Sequence, residues 1–191
     1  MQKKAIVLLA EGFEEVEALT PVDYLRRAGI EVLTASIGEG KAIKGARNIQ
    51  VAADTTLKEY LDKADSCDAV IIPGGMPGAA NLAASGEVGA LIKKMALAGK
   101  WVCAICAAPA VVLAPLGLLL GRRFTCYPGM ETKVQGGQWS DERVVISASP
   151  AGGGFITSRA AGCAGEFAIA VIRQLLGESE AEKIAKAVLL F

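Results

Sequence analysis

The feature that most constrains this chain is a run of strand-forming residues that ends in a cysteine, at residues 101–109 (WVCAICAAP). Trp101 and Ile105 favour a strand, whereas the small residues and Pro109 after Cys106 favour the start of a helix. A cysteine at such a turn has the position of a nucleophile elbow. There the free N–H groups and the positive end of the following helix favour a thiolate. We therefore predict that Cys106 carries the function.

Short apolar runs alternate with amphipathic segments along the rest of the chain. The runs predict strands at residues 3–10, 31–37, 67–72, 101–105 and 155–158, and the segments predict helices at 14–28, 57–63, 87–98, 164–176 and 179–186. We expect a hairpin-like excursion near residues 41–53, short strands at 122–127, 132–139 and 143–147, and a cap at Ser179. The alternation predicts an α/β fold with a mainly parallel sheet covered by helices on both faces. With 191 residues and no break in composition, we expect a single domain over residues 1–191.

Charge and cysteine content narrow the possible partners and the compartment. Twenty basic residues balance twenty acidic ones without a run of like charges, which argues against nucleic-acid binding. The five cysteines and the polar first residues (MQKK) predict a reduced, cytoplasmic protein. Residues 101–121 are uncharged, but Pro109 and Pro115 interrupt them, so we interpret this stretch as core and expect no membrane contact.

The absence of histidine limits the chemistry. It excludes Ser–His and Cys–His catalysis supplied within the chain and every zinc site that needs imidazole, and the cysteine spacings favour no metal site. Cys103 and Cys106 match a C-x-x-C pattern, but three residues of strand separate their Cα atoms by roughly 10 Å. Because a disulfide needs about 7 Å or less, we predict that they do not pair. Cys67, Cys126 and Cys163 are predicted to be structural, with the alternative that Cys126 approaches the site.

Three segments should meet at the carboxyl edge of the sheet, where open parallel sheets form their sites. Residues 10–17 offer carboxylates, residues 73–78 (PGGMPG) offer backbone N–H groups, and residues 105–107 offer the thiol. A buried acid that keeps its proton could share it with a thiolate, and the N–H groups of Gly75 and Ala107 could stabilise an oxyanion. Simpler interpretations stay open, because PGGMPG can be a plain turn and acids at a helix start are often surface residues. Periodicity does not select among Glu14, Glu15 and Glu17.

Several segments together are similar to the DJ-1/ThiJ/PfpI superfamily, within the class I glutamine-amidotransferase-like fold. They are EGFEEVEALTPVDYLRRAGI, DAVIIPGGMPGA, CAICAAP, TCYPG, FITSRAAG and EFAIAVI. The resemblance implies a flavodoxin-like three-layer sandwich and, in the DJ-1-like branch, a homodimer. It assigns the reactive cysteine to Cys106 and the conserved acid to Glu17. It assigns the N–H donors to Gly75 and Ala107, with Gly74 beside them, and an arginine near the site across the dimer to Arg47.

One position departs from the pattern of that superfamily. Many members have a histidine immediately before the proline that is Pro128 here, and this chain has Tyr127. The departure argues against a Cys–His–acid triad and against a peptidase of that type. It leaves a Cys106–Glu17 dyad intact.

The resemblance therefore implies a stress-response enzyme of glyoxalase or deglycase type. Its substrate would be methylglyoxal or an early adduct of it, and neither an organic cofactor nor a metal would be required. A second hypothesis is a non-catalytic sensor of oxidative stress, or a redox-regulated chaperone, that works through oxidation of Cys106. A weaker alternative is a cysteine hydrolase or amidase.

Overall fold

The computed structural model of the chain describes residues 2–63, 66–150 and 152–190. Strands and helices alternate through most of the chain, as the apolar pattern predicts. In chain order the elements are β1 (Lys4–Leu9), α1 (Glu15–Arg27), β2 (Glu31–Ser36), β3 (Ala42–Lys44), β4 (Gln50–Ala52), β5 (Thr55–Thr56), α2 (Leu57–Asp62), β6 (Ala69–Ile72), α3 (Gly78–Ala84), α4 (Gly86–Leu97), β7 (Trp101–Ile105), β8 (Arg123–Phe124), β9 (Gln138–Trp139), β10 (Val144–Ala148), β11 (Gly154–Ser158), α5 (Ala164–Leu176) and α6 (Glu178–Ala187).

The main sheet has seven strands in the order β10-β11-β7-β6-β1-β2-β5. The edge strand β10 runs antiparallel to β11, and the other neighbouring pairs are parallel. β3 and β4 form the expected antiparallel hairpin outside this sheet. The predicted α/β fold, a flavodoxin-like three-layer sandwich, is therefore confirmed.

Two hydrophobic cores lie on opposite faces of the sheet. Alternate residues of β1 enter different cores, since Val7 and Leu9 pack with α1, α5 and α6, whereas Ile6 and Leu8 pack with α2, α3 and α4. This alternation follows from the two-residue period of a strand. Because both faces are covered, the central strands are continuous apolar runs.

The structure differs from the sequence prediction in several connecting segments. Helix α3 was not predicted, because GAANLAA lacks a clear apolar stripe, although Ala79 and Leu82 are buried. The helix after Cys106 is a single π-helical turn, Pro109–Leu113, that gives way to turns near Pro115. The strand predicted at residues 132–139 is wrong except at Gln138–Trp139.

The structure also shows where the last helix begins and what the uncharged residues 101–121 form. The predicted Ser179 cap is wrong, because a single residue, Gly177, separates α5 from α6 and leaves Ser179 inside the last helix. In the part of the chain that the structure describes, no helix is long and apolar enough to cross a bilayer. The uncharged residues 101–121 supply β7 and part of the core instead.

The parallel register brings three loops to one edge of the sheet. β6 lies between β1 and β7, with Ile71 paired to both Val7 and Cys103. The chain therefore leaves these three adjacent strands at the same edge, through residues 10–14, 73–77 and 106–108. The predicted meeting of an acid-bearing helix start, a glycine loop and a cysteine turn follows from this topology.

Candidate active site

Cys106 occupies a strained turn directly after β7. Its φ angle is 64°, in the left-handed region that residues with a side chain rarely adopt. Both of its backbone groups are anchored. The Cys106 N–H donates to the Ser158 carbonyl at 2.8 Å, and the Cys106 carbonyl accepts from the Tyr127 N–H at 2.8 Å. These bonds hold the turn so that the half-buried thiol faces the carboxyl edge of the sheet.

Glu17 reaches the thiol from the first turn of α1. Its side chain is 1% exposed and lies against Cys106, since a Cβ added at Gly74 would be within 2.8 Å of both residues. The Gly74 N–H donates to Glu17 Oε2 at 2.9 Å, and the backbone of Ala161 lies near enough to lower the pKa of the carboxyl group. The Glu17 N–H in turn donates to Glu14 Oε2 at 2.8 Å, which caps the helix. Glu17 is thus held by groups from three separate loops.

The acid and the thiol behave as a coupled pair. Burial raises the pKa of Glu17 to about 7, although the hydrogen bonds with Cys106 and Gly74 oppose this rise. Burial also raises the pKa of the Cys106 thiol, and an ionised Glu17 raises it further, whereas the N–H groups of Ala107 and Gly75 lower it. Because an ionised Glu17 opposes a thiolate beside it, the thiolate is favoured when Glu17 holds the proton.

The glycine loop before α3 brings backbone donors against the pair. A side chain at Gly74 would place its Cβ 2.7 Å from Glu17 Oε2 and 2.8 Å from the Cβ of Cys106, so only glycine fits between them. Gly75 has a φ of 85°, and a Cβ there would lie 2.4 Å from the Glu14 nitrogen. This close packing allows the Gly75 N–H to reach the thiol, together with that of Ala107.

A cavity of about 380 Å³ opens above the thiol. Its rim includes the half-exposed side chains of Met76 and Tyr127, and Arg47 belongs to its wall. The remaining lining residues are Glu14, Glu17, Gly75, Cys106, Ala107, Met130, Ala160 and Ala161. The volume is sufficient for a small organic molecule in contact with the sulfur.

The structure brings the predicted site residues together. Gly74 lies beneath the pair as a donor to Glu17, and Arg47 and Tyr127 border the cavity within this same chain. The side chain of Arg47 is exposed, and its backbone N–H donates to Oε1 of the buried Glu15 at 2.7 Å. Cys126, by contrast, is buried and does not line this cavity.

Sequence reasoning missed several residues of the site. Ala161, Met76 and Met130 line the cavity, but none of these residue types carries a chemical signal in a sequence. Glu14 was one of three acids that periodicity could not separate. Its capping position, three residues before Glu17, is the signal that could have distinguished their roles.

The other cysteines and the acids suggest no metal site. Cys103 and Cys106, both described by the structure, are not joined by a disulfide, as expected. Among the described residues, no group of three or more Cys, Asp or Glu side chains is arranged to hold a metal ion.

Comparison with known proteins identifies the family. Residues 3–174 match the sequence profile of the DJ-1/PfpI family. The chain belongs to this family. It is 38% identical over 190 residues to protein dj-1beta of Drosophila melanogaster, covering 99% of this chain and 98% of the fly protein. It is 35% identical over 188 residues to the glutathione-independent glyoxalase DJR-1.2 of Caenorhabditis elegans, covering 97% and 95% of the two chains.

Solved structures of DJ-1 proteins have the same fold. A structure described as oxidized DJ-1 of Toxoplasma gondii superposes with a TM-score of 0.92 at 35% identity and covers 98% of both chains. The crystal structure of Drosophila melanogaster DJ-1beta gives a TM-score of 0.92 at 37% identity, covering 99% of this chain and 98% of that one. The family membership and fold implied by the sequence resemblance are thus confirmed.

Proposed function

We propose that this DJ-1/PfpI protein is a cysteine-dependent enzyme of glyoxalase or deglycase type. Its substrate would be methylglyoxal or an early adduct of it. The observation that carries the proposal is that Cys106 lies against the buried carboxyl group of Glu17, since a Cβ added at Gly74 would be within 2.8 Å of both residues. Burial raises the pKa of this acid to about 7. Such an acid can both give and take a proton at neutral pH. The name of the worm relative, a glutathione-independent glyoxalase, supports the same reaction.

In the first step the Cys106 thiolate attacks the aldehyde carbon of methylglyoxal. A carbon–sulfur bond forms, and the electron pair of the carbonyl moves to its oxygen. The proton held by Glu17 passes to that oxygen, which gives a neutral hemithioacetal and an ionised Glu17. The N–H groups of Gly75 and Ala107 lower the pKa of the thiol, and they support this step because donors beside the sulfur stabilise the thiolate and negative charge on a neighbouring oxygen.

In the second step Glu17 moves a proton between the two carbons. The carboxylate removes the hydrogen from the carbon bound to sulfur and returns it to the neighbouring carbon, while the hydroxyl proton moves to the oxygen on that neighbouring carbon. The hemithioacetal thereby becomes a thioester of lactate. Water then cleaves the carbon–sulfur bond, which releases lactate and restores the thiol. The net reaction adds one water to methylglyoxal without an external oxidant or reductant. An early adduct would enter the same route after it releases its amine.

The decisive experiment follows methylglyoxal consumption and lactate formation with a chelator present and glutathione absent. Wild type should form lactate, whereas Cys106→Ser and Glu17→Gln should each lose turnover. Cys67→Ala is the matched control, because Cys67 is buried far from the site at the amino end of the sheet. The proposal fails if wild type forms no lactate or if Cys106→Ser retains full turnover.

A second candidate function is a sensor in which Cys106 is oxidised to a sulfinate. The same donors favour it, because the N–H groups of Gly75 and Ala107 and a protonated Glu17 surround the sulfur where new oxygen atoms would need hydrogen bonds. A DJ-1 structure with this fold is described as oxidized. A sensor would show no turnover, while peroxide would add two oxygen atoms to wild type and none to Cys106→Ser, measured by intact mass.

We also propose that the protein is a homodimer that associates through the start of α1. Val16 and Leu19 are 49% and 38% exposed and lie three residues apart, on one face of the helix. Ile49 is 53% exposed, and its N–H donates to Glu15 beside Val16 at 3.4 Å. Exposed apolar side chains in one patch favour a protein contact. Because Glu17 lies on the same helix, a partner on this patch would be close to the cavity above Cys106.

A further inference from the structure

A second cavity, of about 350 Å³, lies at the opposite end of the sheet from Cys106. Gly154 belongs to its wall and pairs with Trp101 where β11 and β7 begin. Cys106 follows the last residue of β7. Since a strand rises about 3.3 Å per residue, the five residues of β7 separate the two cavities by roughly 17 Å. Nothing in the proposed chemistry of Cys106 uses this second cavity, which we call the amino-end cleft.

The walls of the amino-end cleft are mainly apolar. Phe155 is 4% exposed and lies at the base, with the half-buried Leu116 and Leu118 beside it. Ala96 and Leu97 of α4 complete the apolar wall, and Leu97 is 89% exposed. An aliphatic chain in the cleft would therefore remove apolar surface from water on both sides of the contact.

Three cationic side chains border the same cleft, and none of the described residues that line it is acidic. They are Lys93, Lys100 and Arg122. The Lys100 ammonium is paired with Asp68 at 2.9 Å, whereas the described residues provide no carboxylate within ion-pair distance of Lys93 or Arg122. The Arg122 guanidinium lies 4.7 Å from the centre of the Phe155 ring. A cation is thus fixed directly beside the apolar base of the cleft.

We propose that the amino-end cleft binds a small amphipathic anion, such as a carboxylate on an aliphatic chain. The chain would lie against Phe155, Leu116 and Leu118, and the carboxylate would meet Arg122 and Lys93. The cleft is at the lower end of the size range of small-molecule sites, which favours a chain of about six to ten carbons. Arg122 is suited to a carboxylate, because its planar group can donate two parallel hydrogen bonds.

The test uses decanoate below its micelle concentration, with decanol and acetate as matched probes. Amide NMR spectra of the full chain should show saturable shifts at Leu116, Leu118 and Phe155 with decanoate. Decanol, which lacks the charge, and acetate, which lacks the chain, should each bind at least about tenfold more weakly. The proposal is overturned if the shifts map elsewhere or if decanol binds as tightly as decanoate.

Variants separate a built site from general attraction to positive charge. Lys93→Gln/Arg122→Gln should weaken decanoate binding about tenfold, because it removes both unpaired cations. Lys63→Gln/Lys133→Gln removes two exposed lysines elsewhere and should leave the binding unchanged. Equal losses in the two double variants would overturn the proposal.

A single variant keeps the test valid if loss of Arg122 disturbs Phe155. Lys93 is exposed on α4, so Lys93→Gln should fold normally and weaken decanoate binding about threefold. An unchanged affinity in this variant would count against the site. Lactate formation should be the same in all these variants, which keeps the result independent of the chemistry proposed for Cys106.

Discussion

The carboxyl group of Glu17 lies against Cys106, with only Gly74 fitting between them, although the two residues belong to the first helix and to the turn after β7. Burial raises the pKa of Glu17 to about 7, so the acid can exchange a proton with the thiol near neutral pH. This one relationship underlies both the proposed catalysis and the proposed oxidation chemistry. It also leads to predictions for the reactivity of Cys106 and for the pH dependence of stability.

Replacing Glu17 with glutamine should lower the pKa of the Cys106 thiol. In wild type Glu17 is ionised above pH 7, and its charge opposes a thiolate beside it, whereas glutamine is neutral at every pH. The rate of alkylation by iodoacetamide at pH 8 should rise about tenfold, and its pH profile should move to lower pH. Glu87→Gln, on the exposed start of α4, serves as the control. An unchanged profile in Glu17→Gln would exclude the dyad.

Stability should fall as pH rises through the range in which Glu17 ionises. The folded protein holds this proton up to a pKa of about 7, whereas the unfolded chain releases it near 4.5. The folded state therefore binds more protons between these values, and the stabilising effect is complete below pH 4.5 and lost as pH rises through 7. The difference between the folded and unfolded pKa values of Glu17 corresponds to a contribution of roughly 3 kcal/mol at most to the free energy of unfolding.

The measurement is urea unfolding of Cys106→Ala and Cys106→Ala/Glu17→Gln at pH 5 and pH 8. Removing the thiol isolates the acid from its coupled partner. From pH 5 to pH 8, the free energy of unfolding of Cys106→Ala should fall by about 1 to 3 kcal/mol relative to that of Cys106→Ala/Glu17→Gln. Parallel curves for the two proteins would mean that Glu17 has an ordinary pKa.

The central strands and the position of the thiol could be predicted from the sequence because their signals are local. The run from Trp101 to Ile105 indicated a buried strand, and Cys106 after it indicated the turn. The choice of Glu17 over Glu14 and Glu15 was not local. It depends on which carboxyl group the α1 start directs at Cys106, and only the family resemblance selected it.

Other parts of the site had no signal in the sequence. The backbone N–H of Ala161 lowers the pKa of Glu17, and any residue but proline could supply this group. Gly74 fits between Glu17 and Cys106 because it has no side chain. In the sequence, however, PGGMPG is equally typical of a plain turn. Contacts made by backbone groups, or by the absence of a side chain, become visible only when the chain is folded.

A charge on the exposed face of α1 should dissociate the proposed dimer. Leu19→Arg would place a guanidinium in the apolar patch formed with Val16 and Ile49, where a partner would have to desolvate it. Sedimentation should give the mass of a dimer for wild type and of a monomer for the variant. Leu120→Arg, at a side chain 71% exposed elsewhere, should remain dimeric. A wild-type protein that sediments as a monomer at micromolar concentration would contradict the proposal.

Gly74→Ala should change the reactivity of the Cys106 thiol more than it lowers the stability of the protein. The added Cβ would lie 2.7 Å from Glu17 Oε2 and 2.8 Å from the Cβ of Cys106, so the two side chains must separate to admit it. We expect a loss of stability of about 1 to 3 kcal/mol from overpacking, a larger proportional loss in lactate formation, and a shifted pH profile of thiol alkylation. Gly86→Ala is the matched control. Gly86 is the first residue of α4, and a Cβ added there would have no other atom within 4 Å, so alanine should be tolerated. If Gly74→Ala alkylates and turns over like Gly86→Ala, the close contact between Glu17 and Cys106 does not govern the reactivity of the thiol.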